Sequence, residues 1–288
     1  MSNLTFLAVH AHPDDEATSS GGVYRLLADQ GVRTVLVTCT NGECGDDPDG
    51  SKPDNDHHDG DLVAAMRAKE LDRAVEILGI DRLIRLGYRD SGMMGWPQNE
   101  DPECFWATPV ADGAARLAEI LMEERPQVVM TYNEFGFDGH PDHIQANRIT
   151  LAALRLIDYE PTLYYNAIPD SIMAIMRARF EEEGRRQAQE DAAKGIKREP
   201  DGPPMLDGEP INMGTPDDLI GATIDVREVT DAKHDALAAH ASQIGDSFWM
   251  KMSKEEFQMA MGTEWFVRVT NPRGLDGNVD DIFAGYRD

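Results

Sequence analysis

Short apolar runs alternate with amphipathic stretches over the first 168 residues, and this alternation limits the fold more than any other feature of the sequence. The runs have the length of buried strands, and the stretches between them carry apolar residues at helical spacing. The runs are 4–10, 32–38, 82–86, 127–132 and 161–168, and the amphipathic stretches are 19–31, 61–78, 110–126 and 143–157. Strands that alternate with helices form a parallel sheet covered on both faces. The sequence therefore predicts an α/β fold, a Rossmann-like parallel sheet with helices on both faces.

The rest of the chain is less regular and predicts two further regions. A charge-dense helical segment at 172–197 precedes a stretch rich in proline, glycine and aspartate at 199–218. This pattern predicts a helix and surface loop, with a lid over a site as the alternative. Strand-like runs at 223–229 and 264–269 flank a helix predicted at 230–243. We therefore expect a catalytic core at 1–168, an insert at 169–220 and a smaller C-terminal α+β extension at 221–288 that packs on the core.

Charge and composition narrow the classes of function. The 53 acidic and 27 basic side chains give a formal net charge of −26, and the resulting field repels polyanions, so nucleic acid is not expected as a partner. No window approaches 18 uninterrupted apolar residues, so no membrane span is expected. The three cysteines and the absence of a signal-like N-terminus predict a cytoplasmic location. The oligomeric state stays open, a homo-oligomer included.

Two histidine-rich motifs stand where predicted strands end. The first, "VHAHPDDE" (9–16), follows the first strand, and the second, "HPDH" (140–143), follows the fourth strand after a loop. Ligands of open α/β sheets bind at the carboxyl ends of the strands, so we expect the two motifs to meet at one site. Catalytic zinc usually takes three protein ligands from His, Asp or Glu and leaves a position for water. The motifs supply seven candidates: His10, His12, Asp14, Asp15, His140, Asp142 and His143.

Spacing alone leaves the ligand set open. The side chains of His12 and Asp15 can converge if a turn tightens into a helix after Pro13. Along an extended strand end, His10 and His12 would instead face the same side. Either arrangement predicts zinc as the cofactor, with iron(II) as the alternative because similar ligand sets hold it.

The same constellation predicts a hydrolase. A divalent metal lowers the pKa of a bound water towards about 7, which provides a nucleophile at neutral pH. A spare carboxylate can accept the proton, and a spare histidine can stabilise an oxyanion or protonate a departing amine. These groups suit hydrolysis of an amide or ester better than redox chemistry.

Two other classes of function are alternatives. A nucleotide-binding oxidoreductase needs a glycine-rich turn after the first strand, but "HAHPDDE" occupies that place. A noncatalytic metal-binding or sugar-binding protein is disfavoured because the polar set is complete in both motifs.

The motifs "AHPDDE" (11–16) and "GHPDH" (139–143) resemble those of the PIG-L/LmbE family of zinc-dependent N-deacetylases. The resemblance extends over residues 4–168, with a fainter match at "KHDALAAHASQI" (233–244). It implies a Rossmann-like fold and hydrolysis of an N-acyl amide, commonly the acetamide of an N-acetylglucosamine conjugate. The implied partner is therefore a small-molecule amino-sugar conjugate.

The resemblance also implies roles by position within the motifs. His12, Asp15 and His143 would be the zinc ligands, and Asp14 the general base. His140 would stabilise the oxyanion or protonate the amine. Asp142 would orient His140, a role typical of a carboxylate beside an imidazole.

Within the family, the chain resembles the mycothiol-pathway branch, which includes an N-acetylglucosaminyl-inositol deacetylase and a mycothiol S-conjugate amidase. The stretches "MRAKEL" (66–71) and "YRDSGM" (88–93) match positions that in those enzymes touch sugar or inositol hydroxyls. The match implies substrate-binding roles for Arg67 and Asp90.

The chain departs from that branch at two places, and these affect how far the roles and the substrate of the branch apply to it. The relatives carry a tyrosine two residues before the first histidine of the second motif, where this chain has Asp138. The amidase form carries a lysine shortly after "HPDDE", whereas this chain has "ATSSGG" at that place. The second departure favours deacetylation over amidase-like cleavage of a glucosamine amide.

Overall fold

The computed structural model describes residues 4–48, 50–53, 57–193, 205–206, 209–210, 212–245 and 247–287. Its strands are β1 Thr5–His10, β2 Arg33–Thr40, β3 Arg82–Tyr88, β4 Val128–Thr131, β5 Thr162–Ala167, β6 Met205–Leu206, β7 Glu209–Pro210, β8 Ile220–Asp225 and β9 Thr263–Arg268. Its helices are α1 Asp15–Ser19, α2 Gly21–Asp29, α3 Gly60–Leu78, α4 Val110–Glu124, α5 Gly136–Gly139, α6 Pro141–Ala153, α7 Asp170–Ala193, α8 Thr230–Ala239, α9 Ala241–Ile244 and α10 Lys254–Met261.

One sheet organises the molecule, with the strand order β3-β2-β1-β4-β5-β9-β8. The first five strands in this order, β3, β2, β1, β4 and β5, run parallel to one another. This arrangement confirms the predicted α/β fold. Every residue of β1, β4 and β5 is buried. Strands covered on both faces have this character, and it explains why they appear in the sequence as continuous apolar runs.

The core lies on both faces of the sheet. Successive side chains of a strand point to opposite faces, and Phe6 and Leu7 of β1 accordingly belong to different apolar clusters. The cluster around Phe6 includes side chains of α2, α3 and α8, whereas the cluster around Leu7 includes side chains of α4 and α6. Helices therefore cover both faces, as the alternating pattern predicted.

Residues 221–288 extend the same sheet. Strand β9 pairs antiparallel with β5, and β8 pairs antiparallel with β9. The carboxylate of Glu264 on β9 accepts hydrogen bonds from the backbone N–H groups of Gly22 and Val23 at 2.8 and 2.9 Å. It also binds the buried Lys233 ammonium of α8 at 2.7 Å. These bonds attach the C-terminal part of the chain to the N-terminus of α2.

Several predicted boundaries differ from the structure. The helix predicted at 19–31 corresponds to α2 Gly21–Asp29, and a separate short helix, α1, begins at Asp15 within the first motif. The helix predicted at 230–243 is divided at His240 into α8 and α9. The helix predicted at 172–197 corresponds to α7, and its last four residues lie outside the described part of the chain, as do 199–204, 207–208 and 211 in the loop predicted at 199–218. Among the described helices, none combines the length and hydropathy that a membrane crossing requires.

Candidate active site

The two motifs meet at the carboxyl edge of the sheet, next to the neighbouring strands β1 and β4. The first motif leaves β1 at His10 and turns into α1. The second begins α6, where Pro141 occupies the first helical position and His140 is the N-cap residue. Proline suits that position because its fixed φ is helical and its missing N–H is not needed there. The sequence thus brings both polar sets to one place, as expected from the fold.

Three of these side chains face one another. Nδ1 of His12 lies 3.3 Å from Nε2 of His143 and 3.4 Å from Oδ2 of Asp15. Nε2 of His143 lies 3.6 Å from Oδ1 of Asp15. Two ligands placed about 2.0–2.1 Å from zinc at tetrahedral angles are roughly 3.3–3.4 Å apart. The facing nitrogens of His12 and His143 therefore have the spacing of two zinc ligands, and each of them faces a different oxygen of Asp15.

The hydrogen bonds behind the imidazoles support the same fit. Nε2 of His12 lies 3.2 Å from a carboxylate oxygen of Asp142, and Nδ1 of His143 lies 3.0 Å from the carbonyl oxygen of Gly136. These acceptors place the proton of each neutral ring on the outer nitrogen. When both rings are neutral, the inner nitrogens face each other and the Asp15 carboxylate with their lone pairs. A bound cation satisfies such an arrangement.

Other ligand sets can be drawn from the same cluster. The set His12, His140 and His143 and the set His12, Asp90, His140 and Asp142 each place ligand atoms within 4.8 Å of one another. The second set would use Nε2 of His12, the nitrogen that faces Asp142 and Asp90, and would leave Nδ1 of that ring to the Asp15 carboxylate. Metal-binding histidines usually keep a carboxylate partner at the second nitrogen, and His12 has one in either arrangement.

The carboxylate of Asp142 contacts His12, and this corrects the expectation that it orients His140. It accepts from Nε2 of His12 at 3.2 Å, from the backbone N–H of Ser91 at 2.9 Å and from the Ser91 hydroxyl. The backbone N–H of Asp142 instead donates to Nδ1 of His140 at 3.1 Å. An N-cap side chain accepts from the second or third helical N–H, so the helix start itself orients His140.

His140 is held as a neutral imidazole with its proton on Nε2. Its Nδ1 accepts the hydrogen bond from Asp142, and a neutral ring carries its proton on the other nitrogen. Burial, together with the neighbouring His12 and His143, lowers the pKa of His140 to about 3. Near neutral pH, the ring can therefore donate a hydrogen bond from Nε2.

Asp14 has an unusual backbone conformation, with φ of 124° and ψ of −24°. Such a conformation costs about 1–3 kcal/mol in a residue with a side chain and persists only when the surroundings fix it. The backbone N–H of Asp14 donates to Glu16 at 3.0 Å, and its carboxylate accepts from Arg67 at 3.0 Å. Burial raises the pKa of Asp14, although Arg67 opposes the shift. A raised pKa brings a carboxylate closer to the range useful in a general base.

Asp15 has the opposite electrostatic environment. Burial would raise the pKa of its carboxyl group, but His143 and His12 outweigh burial and hold the pKa well below its usual value. Metal ligands must be deprotonated. The surroundings of the two neighbouring aspartates therefore move their pKa values in opposite directions, that of Asp15 down and that of Asp14 up.

Arg67 and Asp90 reach the site, but they lie behind Asp14 and His12. Arg67 is 5% exposed and donates to the carbonyl oxygens of Pro13 and Gly42, at 2.7 and 2.8 Å, as well as to Asp14. Asp90 is 6% exposed, accepts from its own loop at Gly92 and lies 3.7 Å from Nε2 of His12. Most of their polar atoms are thus occupied within the protein.

His10 does not belong to the candidate metal centre. Its Nε2 lies 3.1 Å from the Ser20 hydroxyl, and its Nδ1 lies 3.4 Å from the hydroxyl of Tyr132. The arrangement in which His10 and His12 face the same side is therefore not the one adopted. Tyr132, which sequence reasoning did not assign, stacks its ring on His143 at 4.2 Å between centroids. Its hydroxyl accepts from the backbone N–H of Ala11 at 2.9 Å, which fixes the ring.

Sequence reasoning also missed a buried pair behind the first motif. Nε2 of His240, at the junction of α8 and α9, lies 2.7 Å from Oε1 of Glu16, and both side chains are fully buried. The other oxygen of Glu16 accepts from the backbone of Asp14. The faint motif match at 233–244 includes His240 and is the signal that could have identified it.

Comparisons with known proteins show what the chain is similar to. The model of the PIG-L family, described as GlcNAc-PI de-N-acetylase, matches residues 7–154. The chain is 40% identical over 292 residues to a 1D-myo-inositol 2-acetamido-2-deoxy-alpha-D-glucopyranoside deacetylase of Acidothermus cellulolyticus, with 98% of this chain and 94% of that protein covered. It is 38% identical over 298 residues to the protein of the same name from Thermobifida fusca, with 99% and 100% covered.

A solved structure shares the fold at lower identity. The N,N'-diacetylchitobiose deacetylase of Pyrococcus horikoshii superposes with a TM-score of 0.55 at 20% identity, covering 91% of this chain and 82% of that chain. The family match spans both histidine motifs, and the two sequence relatives cover nearly the whole chain. The protein therefore belongs to the PIG-L family of GlcNAc-PI de-N-acetylases.

Proposed function

We propose that the protein is a metal-dependent amidohydrolase that removes the acetyl group from an N-acetylglucosaminyl-inositol or a closely similar amino-sugar conjugate. Relatives 38–40% identical over nearly the whole chain are named as deacetylases of such a compound, which supports this substrate class. The observation that carries the proposal is the group formed by His12, Asp15 and His143, with Asp14 held beside it.

We propose zinc as the metal, with His12, Asp15 and His143 as its protein ligands and iron(II) as the alternative ion. When bound, the ion lowers the pKa of water and polarises the amide carbonyl. The donor set of two imidazoles and one carboxylate is common in catalytic zinc sites. The second nitrogen of His12 keeps its carboxylate partner Asp142, which fixes the orientation of the ring.

Asp14 is the proposed general base. Its carboxylate accepts a proton from the attacking water and then supplies it to the leaving nitrogen as the C–N bond breaks, so that acetate and the free amine result. Arg67 and Glu16 hold Asp14 in place through its carboxylate and its backbone. We therefore assign Arg67 a positioning role in addition to the hydroxyl contact that the family resemblance implies.

His140 is the proposed oxyanion stabiliser. Its Nε2–H can donate a hydrogen bond to the carbonyl oxygen as negative charge develops there. The neutral state of the ring supports this role over that of proton donor to the amine. Asp90 remains a proposed substrate contact, limited to the small part of its side chain that is exposed.

The proposal is tested with the full chain after chelation and reconstitution with zinc or iron(II). N-acetylglucosaminyl-inositol is supplied as substrate, and free amine and acetate are measured. We expect both products with metal and neither with excess chelator. A mycothiol S-conjugate serves as the second substrate, and cleavage of that compound alone would replace deacetylation by the amidase reaction.

The Asp14→Asn variant tests the assigned base. Loss of general-base catalysis costs typically about 100- to 10,000-fold in rate, and we expect a fall in turnover of this size with zinc still bound. Asp112→Asn, an equal change of charge at an exposed position on α4, is the matched control. Turnover of Asp14→Asn equal to that of the control would refute the assignment.

A further inference from the structure

We propose that Asp138 is a positioning residue that holds His143 with its Nε2 turned towards the other metal ligands; the inference rests on the proposed metal site. Oδ1 of Asp138 lies 3.2 Å from Nδ1 of His143, and the carbonyl oxygen of Gly136 lies 3.0 Å from the same nitrogen. Two acceptors at Nδ1 fix the proton there and leave the lone pair on Nε2. Nε2 is the atom that faces His12 at 3.3 Å.

The loop before the second motif is built for this contact. Phe137 has φ of 65° and ψ of −63°, close to the γ-turn with positive φ, which is rare and strained for a residue with a side chain. Gly136 has φ of +64°, and a Cβ there would stand 2.9 Å from Cβ of His143. The chain thus passes close to His143, turns sharply and brings the next side chain back towards the ring.

Asp138 also connects the two histidines of the motif. Its Oδ1 accepts the backbone N–H of His140 at 3.1 Å in addition to facing His143. The backbone conformation of Phe137 is of a kind that costs about 1–3 kcal/mol. It places the Asp138 carboxylate where it contacts both His140 and His143. The side chain of Asp138 is 32% exposed, whereas that of His143 is 9% exposed. A substitution at 138 can therefore change the partner of His143 with little disturbance of the core.

The chemical consequence concerns the affinity for the metal. A carboxylate behind a histidine ligand fixes its tautomer and makes the ring a stronger donor, and loss of such a partner typically costs about 10- to 100-fold in metal affinity. Position 138 is one of the two departures from the mycothiol-pathway branch noted in the sequence. A tyrosine there would bring no negative charge to Nδ1, so this chain gains an ionic partner for His143 that a phenol does not supply.

The test measures the dissociation constant for zinc by competition with a chromogenic chelator, on the full chain at neutral pH. The variants are Asp138→Asn and Asp138→Tyr. Glu134→Gln removes the same charge from an exposed position in the same loop and is the matched control. We expect about tenfold weaker binding in both Asp138 variants, the low end of the usual range because the Gly136 carbonyl still accepts.

Each result decides the inference. Binding by both Asp138 variants within threefold of the Glu134→Gln control would overturn it. A wild-type protein that bound no zinc would overturn the proposed function and this inference together. Wild-type binding and deacetylation with unchanged affinity in the Asp138 variants would overturn the inference alone. Thermal unfolding of the zinc-free proteins verifies folding, and Asp138→Ser, which needs no additional room, replaces any variant that does not fold.

Discussion

The buried guanidinium of Arg67 provides a sharp test of how the proposed base is held. Arg67 donates to Asp14 and to the carbonyl oxygens of Pro13 and Gly42. The single ammonium of lysine cannot reproduce this planar set of donors. We therefore expect Arg67→Lys to lose the hydrogen bond that positions Asp14, and to lower kcat with little change in KM. Arg67→Met removes the positive charge as well.

The hydrogen bond to Asp14 sets the magnitude. A hydrogen bond to a charged group contributes about 1.5–3 kcal/mol, and each 1.36 kcal/mol added to an activation barrier slows a reaction tenfold. If the bond is lost in the transition state, kcat falls by about 10- to 100-fold. The charge has a separate effect on pH dependence. Burial raises the pKa of Asp14 and Arg67 opposes the rise, so Arg67→Met should raise that pKa further.

The direction of the pH shift follows from the role of the base. Asp14 acts when ionised, so activity is present above its pKa and is lost as the pH falls through it. A higher pKa moves this loss to higher pH. Steady-state kinetics with N-acetylglucosaminyl-inositol across the pH range measure both effects. Arg85→Lys, at a partly exposed ion pair with Asp72, is the control.

One pattern of kinetics would refute this reasoning. If Arg67 instead binds substrate hydroxyls in the ground state and transition state alike, its replacement raises KM and leaves kcat unchanged. The acidic limb of the pH profile would then stay in place. That result would restore Arg67 as a substrate clamp and remove its assignment as the group that positions Asp14.

Three further changes test other contacts. His143→Ala should reduce zinc content in elemental analysis of the purified protein, and wild-type content would contradict its assignment as a ligand. Glu264→Gln leaves Lys233 buried without its carboxylate and should lower the free energy of unfolding by about 3–5 kcal/mol in a denaturant titration; a loss below about 1 kcal/mol would show that the pair contributes little. Glu16→Gln weakens the contacts that Glu16 makes with Asp14 and His240, so kcat should fall while zinc content stays constant, and a fall in zinc content instead would place Glu16 among the residues that hold the metal.

Much of the sheet could be predicted, because parallel strands buried on both faces are continuous apolar runs. The five predicted strands all occur, with ends shifted by a few residues. The antiparallel join of β9 to β5 had no local signal, since it depends on contacts between distant parts of the chain. Glu264, for example, accepts a hydrogen bond from Gly22, 242 residues away. The short helix α1 was not predicted because the acidic residues of the motif, Asp15 and Glu16, form its first turn.

The site was predictable to the extent that its chemistry is local. Each motif places several functional side chains within a few residues, and a parallel sheet brings strand ends together. The partners of those side chains were less accessible to sequence reasoning. Arg67 lies on α3, where a charged residue is normally exposed, and only the tertiary structure buries it against Asp14. The predicted partner of the Asp142 carboxylate was wrong. The first turn of α6 directs the carboxylate of Asp142 to His12 and the backbone N–H of Asp142 to His140.

The C-terminal extension supports the proposed base from behind. His240 binds Glu16, and Glu16 accepts the backbone N–H of Asp14. A residue held at φ of 124° needs several such contacts, because its relaxed conformation lies elsewhere. A chain ending at residue 168 would keep both histidine motifs but lose His240, which supports Glu16. Through His240, the C-terminal part of the chain therefore supports the proposed base, in keeping with a relative that is similar over 98% of the chain.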